Sequence, residues 1–194
     1  MREIAVFAKA PVAGRVKTRL IPQLGSDGAA ALQARLIELT LAKACAVDGA
    51  RVCLWLDGGE YAAPPAVEVA RQRGADLGAK MAHAFATTLA RARACVLIGT
   101  DCPALTVQHL QLAFERLRRH DVVVAPAEDG GYVLIGLNAP QPRLFEGIAW
   151  GESTVMSATR AAIEACALRA SYLPTLPDLD TPADLARARA AGWI

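Results

Sequence analysis

Ala94-Cys95-Val96-Leu97-Ile98-Gly99-Thr100-Asp101-Cys102-Pro103 is the stretch on which the reading of the fold turns. Cys95 to Ile98 is an unbroken apolar run, the pattern of a strand covered on both faces within a parallel sheet. Gly99, Thr100 and Asp101 close the run, and Pro103 stops the strand from continuing. A carboxylate is thereby delivered to the carboxyl end of a buried strand, the edge at which open α/β sheets bind ligands. The plainer account of Asp101, a turn residue or helix cap, stands beside this one.

Working outward toward the N-terminus, Glu3 to Ala8 reads as the first strand. The loop after it runs from Lys9 to Leu20 and holds Lys9, Arg15, Lys17 and Arg19 without a single acid. Gly14 offers a positive φ that turns backbone N–H groups inward, and Pro11 stiffens the approach. Fixed cations and amide dipoles with little side-chain bulk are what a polyphosphate needs. The spacing is neither that of a Walker loop nor that of the dinucleotide fingerprint. A solvated basic loop is the simpler alternative.

Ser26 or Asp27 is expected to cap a long helix reaching about Ala46. Strands follow at Val52–Leu56 and Val67–Ala70, and a helix spans about Ala79–Arg91, with Asp76 suited to its N-cap. Beyond the central strand, Thr106 caps a helix to about Arg119, and Val122–Ala125 and Val133–Leu137 are strands. Between those two lie Glu128, Asp129, Gly130, Gly131 and Tyr132. Two glycines there fit a hairpin turn and also allow a ligand to approach the backbone closely. Ser153 or Thr154 is expected to cap a helix from about Val155 to Cys166, whose N-terminus could meet an anionic acceptor. Thr181, Pro182 and Asp184 carry the chemistry of a last helix start. That leaves Asp178 and Asp180, two apart on an extended segment, without a structural duty.

Alternating strands and helices predict an α/β fold: a Rossmann-like three-layer sandwich on a mostly parallel sheet, with residues 1–194 forming one domain. The 21 basic and 19 acidic residues leave a net charge of +2, which does not call for a nucleic-acid partner. No stretch is apolar and long enough to span a bilayer, so the expectation is a cytoplasmic protein without a membrane partner. The 5 cysteines show no Cys-x-x-Cys spacing and read as reduced thiols. Oligomeric state stays open, a homo-oligomer included. With the basic loop, Asp101, the Gly-Gly turn, Asp178 and Asp180 on one sheet edge, cations would hold phosphates and carboxylates a Mg²⁺ or Mn²⁺.

Five pieces of the chain together resemble a known family: Phe7-Ala8-Lys9-Ala10-Pro11, Gly14 to Leu20, Gly99 to Pro103, Pro126 to Tyr132, and Asp178 to Pro182. They resemble an uncharacterised bacterial family labelled glycosyltransferase-like, within the nucleotide-diphospho-sugar transferase superfamily of GT-A fold. A more distant likeness is to the guanylyltransferase that activates phospholactate and to molybdenum-cofactor guanylyltransferases. The resemblance implies a metal-dependent transferase taking a nucleotide or nucleotide-sugar donor and a small-molecule acceptor. It assigns Lys9, Pro11, Gly14, Arg15, Lys17, Arg19 and Thr100 to the nucleotide, and Asp101, Asp178 and Asp180 to the metal. Lys17 and Asp101 take the catalytic roles, and Gly130, Gly131, Tyr132, Ser153 and Thr154 lie by the acceptor. In place of the Asp-x-Asp of glycosyltransferases the chain has Asp101 followed by Cys102 and Pro103, so the late aspartates complete the metal set. Where the phospholactate enzymes have Thr-Asn after the glycine pair, this chain has Tyr132 and Val133. A nucleotidyltransferase that releases pyrophosphate and a nucleotide-binding protein without turnover are the alternatives.

Overall fold

The computed structural model describes residues 1–194. Its seven strands form one sheet in the order β3-β2-β1-β4-β6-β5-β7. These are β1 (Arg2–Lys9), β2 (Ala50–Asp57), β3 (Glu68–Arg71), β4 (Ala94–Gly99), β5 (Val122–Pro126), β6 (Tyr132–Leu137) and β7 (Ala170–Tyr172). The helices are α1 (Ile21–Cys45), α2 (Leu77–Leu89), α3 (Val107–Arg116), α4 (Val155–Ala165) and α5 (Pro182–Ala190). None is long and apolar enough to cross a membrane.

The expected α/β architecture is present, and the layers follow from which residues each strand turns to which side. Ile4, Val6, Val96 and Ile98 pack with Ile37 and Leu41 of α1 and Leu110 and Phe114 of α3. Ala5, Phe7, Cys95 and Leu97 face the other way, onto Met81 and Phe85 of α2 and Met156 and Ile163 of α4. Both faces of β4 are therefore covered, as its continuous apolar run requires. The sheet is parallel except at β6, which runs antiparallel to both β4 and β5. The Gly-Gly segment is accordingly the hairpin turn between β5 and β6, and that hairpin inverts one strand inside an otherwise parallel sheet.

Local chemistry agrees with the sequence at most element starts. Asp76 accepts from the Ala79 N–H at α2, and Thr106 and Thr181 each complete a capping box, the second with Asp184. Two expectations change. The helix α1 begins at Ile21, ahead of Ser26 and Asp27, because Pro22 suits a first turn; Gly25 (φ 73°, ψ 167°) then breaks it where the sequence suggested a start. Neither Ser153 nor Thr154 caps α4: Thr154 holds the N-cap position in helical geometry, with no side-chain bond to the first turn. The five cysteines are free thiols, as expected.

A third, smaller cluster ties the C-terminus to the basic loop. Leu179, Leu185 and Ala188 pack on Leu20 and Leu36, with Trp193 and Ile194 alongside. Burial of Leu179 forces its neighbours Asp178 and Asp180 to the other side of an extended segment. That side is the cleft.

Candidate functional site

The strand ends β1, β2 and β4, the basic loop, the hairpin turn and the Asp178–Asp180 segment enclose a cleft of about 700 Å³. It sits over the β1/β4 boundary, where the chain, having laid β2 and β3 outward on one side of β1, crosses back to place β4 on the other, the kind of switch point at which open α/β sheets bind ligands.

Lys17 is the pivot. Its backbone is left-handed (φ 48°, ψ 42°), a strained conformation for a residue with a side chain, and only 8% of the residue is exposed. Its ammonium lies 2.9 Å from Asp101 Oδ1 and donates to the Leu179 carbonyl. The Leu179 N–H in turn donates to the Asp101 carbonyl at 2.7 Å. Loop, strand end and C-terminal segment thus meet on one buried cation. Arg19 makes a second link, 2.5 Å from Asp180 Oδ2. Lys9 and Arg15 line the cleft and form no ion pair within the chain.

The other anticipated nucleotide residues divide. Thr100 lines the cleft but is buried, and its hydroxyl is shared between Gln33 Nε2 and Asp101 Oδ1, each at 3.4 Å. It braces Asp101 from behind. Pro11 and Gly14 lie outside the cleft lining. Gly14 (φ 78°) shapes the turn closed by the Arg15 N–H on the Val12 carbonyl, and a Cβ there would meet nothing within 4 Å.

Of the three acids expected to hold metal, two are already matched by cations: Asp101 by Lys17 and Asp180 by Arg19. The three do not bring their ligand atoms within 4.8 Å of one another; the group that does is Glu3, Cys53 and Glu68, through two carboxylates and a thiol elsewhere in the fold, with Arg91 bonded to both glutamates. Asp178 is different. Its carboxylate has no cation partner, and its pKa is raised by burial first and then by Asp129, Asp184 and Asp180. A half-buried anion among anions is a donor set that fits a hard divalent cation, which would relieve that repulsion.

A carboxylate whose pKa is raised on folding is a burden when ionised and neutral in its effect when protonated, below its ordinary range. Asp178→Asn is therefore expected to raise the melting temperature at pH 7 and to lose that advantage toward pH 3.5. Melting curves at the two pH values check this; an equal gain at both would mean that charge is not the cause.

Sequence reading missed several cleft residues. Gln33, in mid-helix, donates to the Lys9 carbonyl at 3.2 Å as well as to Thr100. Gln72 donates its amide to the Ala8 and Trp55 carbonyls at 3.3 and 2.9 Å, which fixes its orientation. Lys80 pairs with Asp57 at 3.0 Å. Asp129, Trp150 and Glu152 also line the cleft, as do the anticipated Gly131 and Tyr132. Gly130, Ser153 and Thr154 do not. Gly130 instead packs on α4: its carbonyl accepts from Met156 N–H at 2.8 Å, and a Cβ would fall 2.1 Å from the Ser153 carbonyl oxygen. No motif distinguishes these glutamines in the sequence, Asp129 was visible only as part of a turn, and Trp150 is an aromatic that suits an acceptor pocket and a core equally.

The fold is that of a nucleotide-diphospho-sugar transferase-like α/β protein. The chain belongs to the bacterial family described as "Uncharacterized protein conserved in bacteria (DUF2064)", whose profile matches residues 26–152. It is similar to a candidate nucleotide-diphospho-sugar transferase from Desulfovibrio desulfuricans, at 33% identity and a TM-score of 0.88, over 95% of this chain and 84% of that one. Two more distant structures share the fold. One is 2-C-methyl-D-erythritol 4-phosphate cytidylyltransferase from Thermus thermophilus (16% identity, TM-score 0.61, 100% of both chains). The other is a manganese complex of Rv0371c from Mycobacterium tuberculosis (17% identity, TM-score 0.62, 96% of this chain and 97% of that one). No protein of curated function matches the chain.

Proposed function

We propose that the protein is a metal-dependent transferase whose donor is a nucleotide or nucleotide sugar bound at the β1/β4 cleft. The observation that carries this is the clamp of Lys17, from the basic loop, on Asp101 at the end of β4. Lys9, Arg15, Lys17 and Arg19 supply more positive charge than the loop's own fold uses, and phosphate oxygens are their natural partners. Asp178, with Asp101 and Asp180 beside the same segment, would hold Mg²⁺ or Mn²⁺, which when bound supplies Lewis-acid stabilisation of charge on the phosphates. Binding would re-pair the site, the cations turning from Asp101 and Asp180 to the donor. Lys17, already strained and buried, would steady the leaving phosphate. The likeness to the Desulfovibrio desulfuricans protein supports this reading.

Melting curves with nucleoside triphosphates and nucleotide sugars, with and without Mg²⁺ or Mn²⁺, test it. A ligand at a hundredfold excess over its dissociation constant stabilises a fold by about 2.7 kcal/mol. A shift that needs both the nucleotide and the cation, and that is lost in Asp178→Asn, is the expected result. No shift with any of them, in folded protein, overturns the proposal. A shift without turnover on any acceptor would leave a nucleotide-binding protein.

A further inference from the structure

We infer that the half of the cleft beyond Asp101 receives an uncharged, polyhydroxylated acceptor that attacks through a hydroxyl oxygen, the partner that transfer from a nucleotide sugar requires. This rests on the donor role proposed above and adds the chemistry of the second substrate.

The cleft is electrically two-sided. All the cations that line it come from the β1 side: the basic loop gives Lys9, Arg15, Lys17 and Arg19, and α2 gives Lys80, which is matched by Asp57. The opposite wall is built from the β5–β6 turn, the start of β6 and residues 150–155, and no lysine or arginine from these lines the cleft. It presents Asp129 and Glu152, with Asp178 at the boundary, and none of the three is in an ion pair. Asp129 is held in place because its Oδ1 accepts the Gly131 N–H at 2.8 Å, which leaves the other oxygen uncommitted. An acceptor that attacked through a phosphate would lie on this wall against carboxylates, with no lysine or arginine to meet it.

The rest of the wall is aromatic. Tyr132 and Trp150 meet edge to face, centroids 6.4 Å apart and planes at 87°. Trp150 cannot shift, since it packs over Gly78 in the first turn of α2, where a Cβ would lie 2.7 Å from its Nε1. That Nε1 is buried without an acceptor, and the Tyr132 hydroxyl has only the Met81 sulfur, at 3.7 Å. Aromatic surface for C–H groups beside carboxylates that accept from O–H groups is the complement of a neutral polyol or sugar.

The step balances. An acceptor hydroxyl oxygen bonds to the anomeric carbon of the nucleotide sugar. The bond from that carbon to the distal phosphate oxygen breaks, and its electron pair leaves on the nucleoside diphosphate. The hydroxyl proton passes to a carboxylate of this wall, Asp129 or Glu152, and then to water.

Saturation-transfer NMR on the full chain tests the inference. The probes are the methyl glycosides of glucose, galactose, mannose and N-acetylglucosamine, set against glucose 6-phosphate and 3-phosphoglycerate. Melting curves with the nucleotide panel are run on the same samples. At least one neutral glycoside is expected to bind, at least tenfold tighter than either phosphate. Trp150→Leu and Glu152→Gln are each expected to weaken it tenfold or more while leaving the nucleotide-dependent shift intact. Tighter binding of a phosphorylated probe, or binding of no glycoside by protein that still shows the nucleotide shift, overturns the inference. Glycoside binding with no nucleotide shift overturns the donor role instead, and the transfer with it.

Discussion

Replacing Arg91 with alanine is expected to cost about 3 kcal/mol of stability, the low end for removing one partner of a buried ion pair because Arg91 itself is 38% exposed. Glu3 is fully buried beneath the C-terminal turn of α2, where Arg91 is bonded to its Oε1 at 2.8 Å and Thr88 lies at 3.4 Å. Its Oε2 has no partner even in the intact protein. Loss of Arg91 would leave a carboxylate in the sheet with a single weak donor, while Glu68 keeps Arg51. Urea denaturation at pH 7 reads the effect as a lowered midpoint at an unchanged slope. The double variant Glu3→Gln/Arg91→Ala should recover a large part of the loss, since the neutral amide removes the stranded charge. The pair sits at the amino ends of the strands, remote from the cleft, so nucleotide-dependent stabilisation should survive in both variants. A loss below about 1 kcal/mol, the scale of a surface pair, would show that Glu3 finds relief without Arg91.

Gly130→Ala is expected to be comparably severe, at about 2–4 kcal/mol, and to damage function selectively. The residue combines a φ of 91° with the Ser153 backbone carbonyl, just ahead of α4, in the space its Cβ would occupy, and a backbone carbonyl cannot yield as a side chain would. The β5–β6 turn would have to separate from the start of α4. Asp129 lies on one side of that seam and Trp150 and Glu152 on the other, so acceptor binding should fall more than nucleotide binding. Gly14→Ala is the control. It has a φ of 78° and open space around it, so only backbone strain applies, roughly 1 kcal/mol. Equal losses in the two variants would mean that the seam yields and that contact with Ser153 does not matter.

Strand β4 and the position of Asp101 were legible because an apolar run, a turn and a proline are local signals. So was the start of α5, with Thr181, Pro182 and Asp184 spaced as a capping box. The separation of Asp178 and Asp180 by one buried leucine was a period-two pattern that the segment honours. What lay beyond reading was the pairing. Lys17 and Asp101 are far apart in the chain, and nothing near either states that a basic loop would neutralise that acid. The position of β6 was equally hidden, because Val133–Leu137 is as apolar as a parallel strand and its direction is decided by a turn and a partner elsewhere. Gln33 and Gln72 reach the site through their amides, from a helix and a strand end, in contexts where glutamine is ordinarily a surface residue.

The inverted strand also bears on how the chain is assembled during synthesis. When residues up to β5 have emerged, β4 has β1 on one side and nothing on the other, because the slot between β4 and β5 belongs to β6. A strand whose core residues are all apolar then waits with an unpaired edge until Leu137 is available, the situation in which neighbouring nascent chains join edge to edge. The five-residue turn makes β5 and β6 a local hairpin that can form before it docks, which shortens that wait. Aggregation of this protein at high expression should therefore be traced to the interval between β4 and β6, and slower translation across residues 100–137 should worsen it.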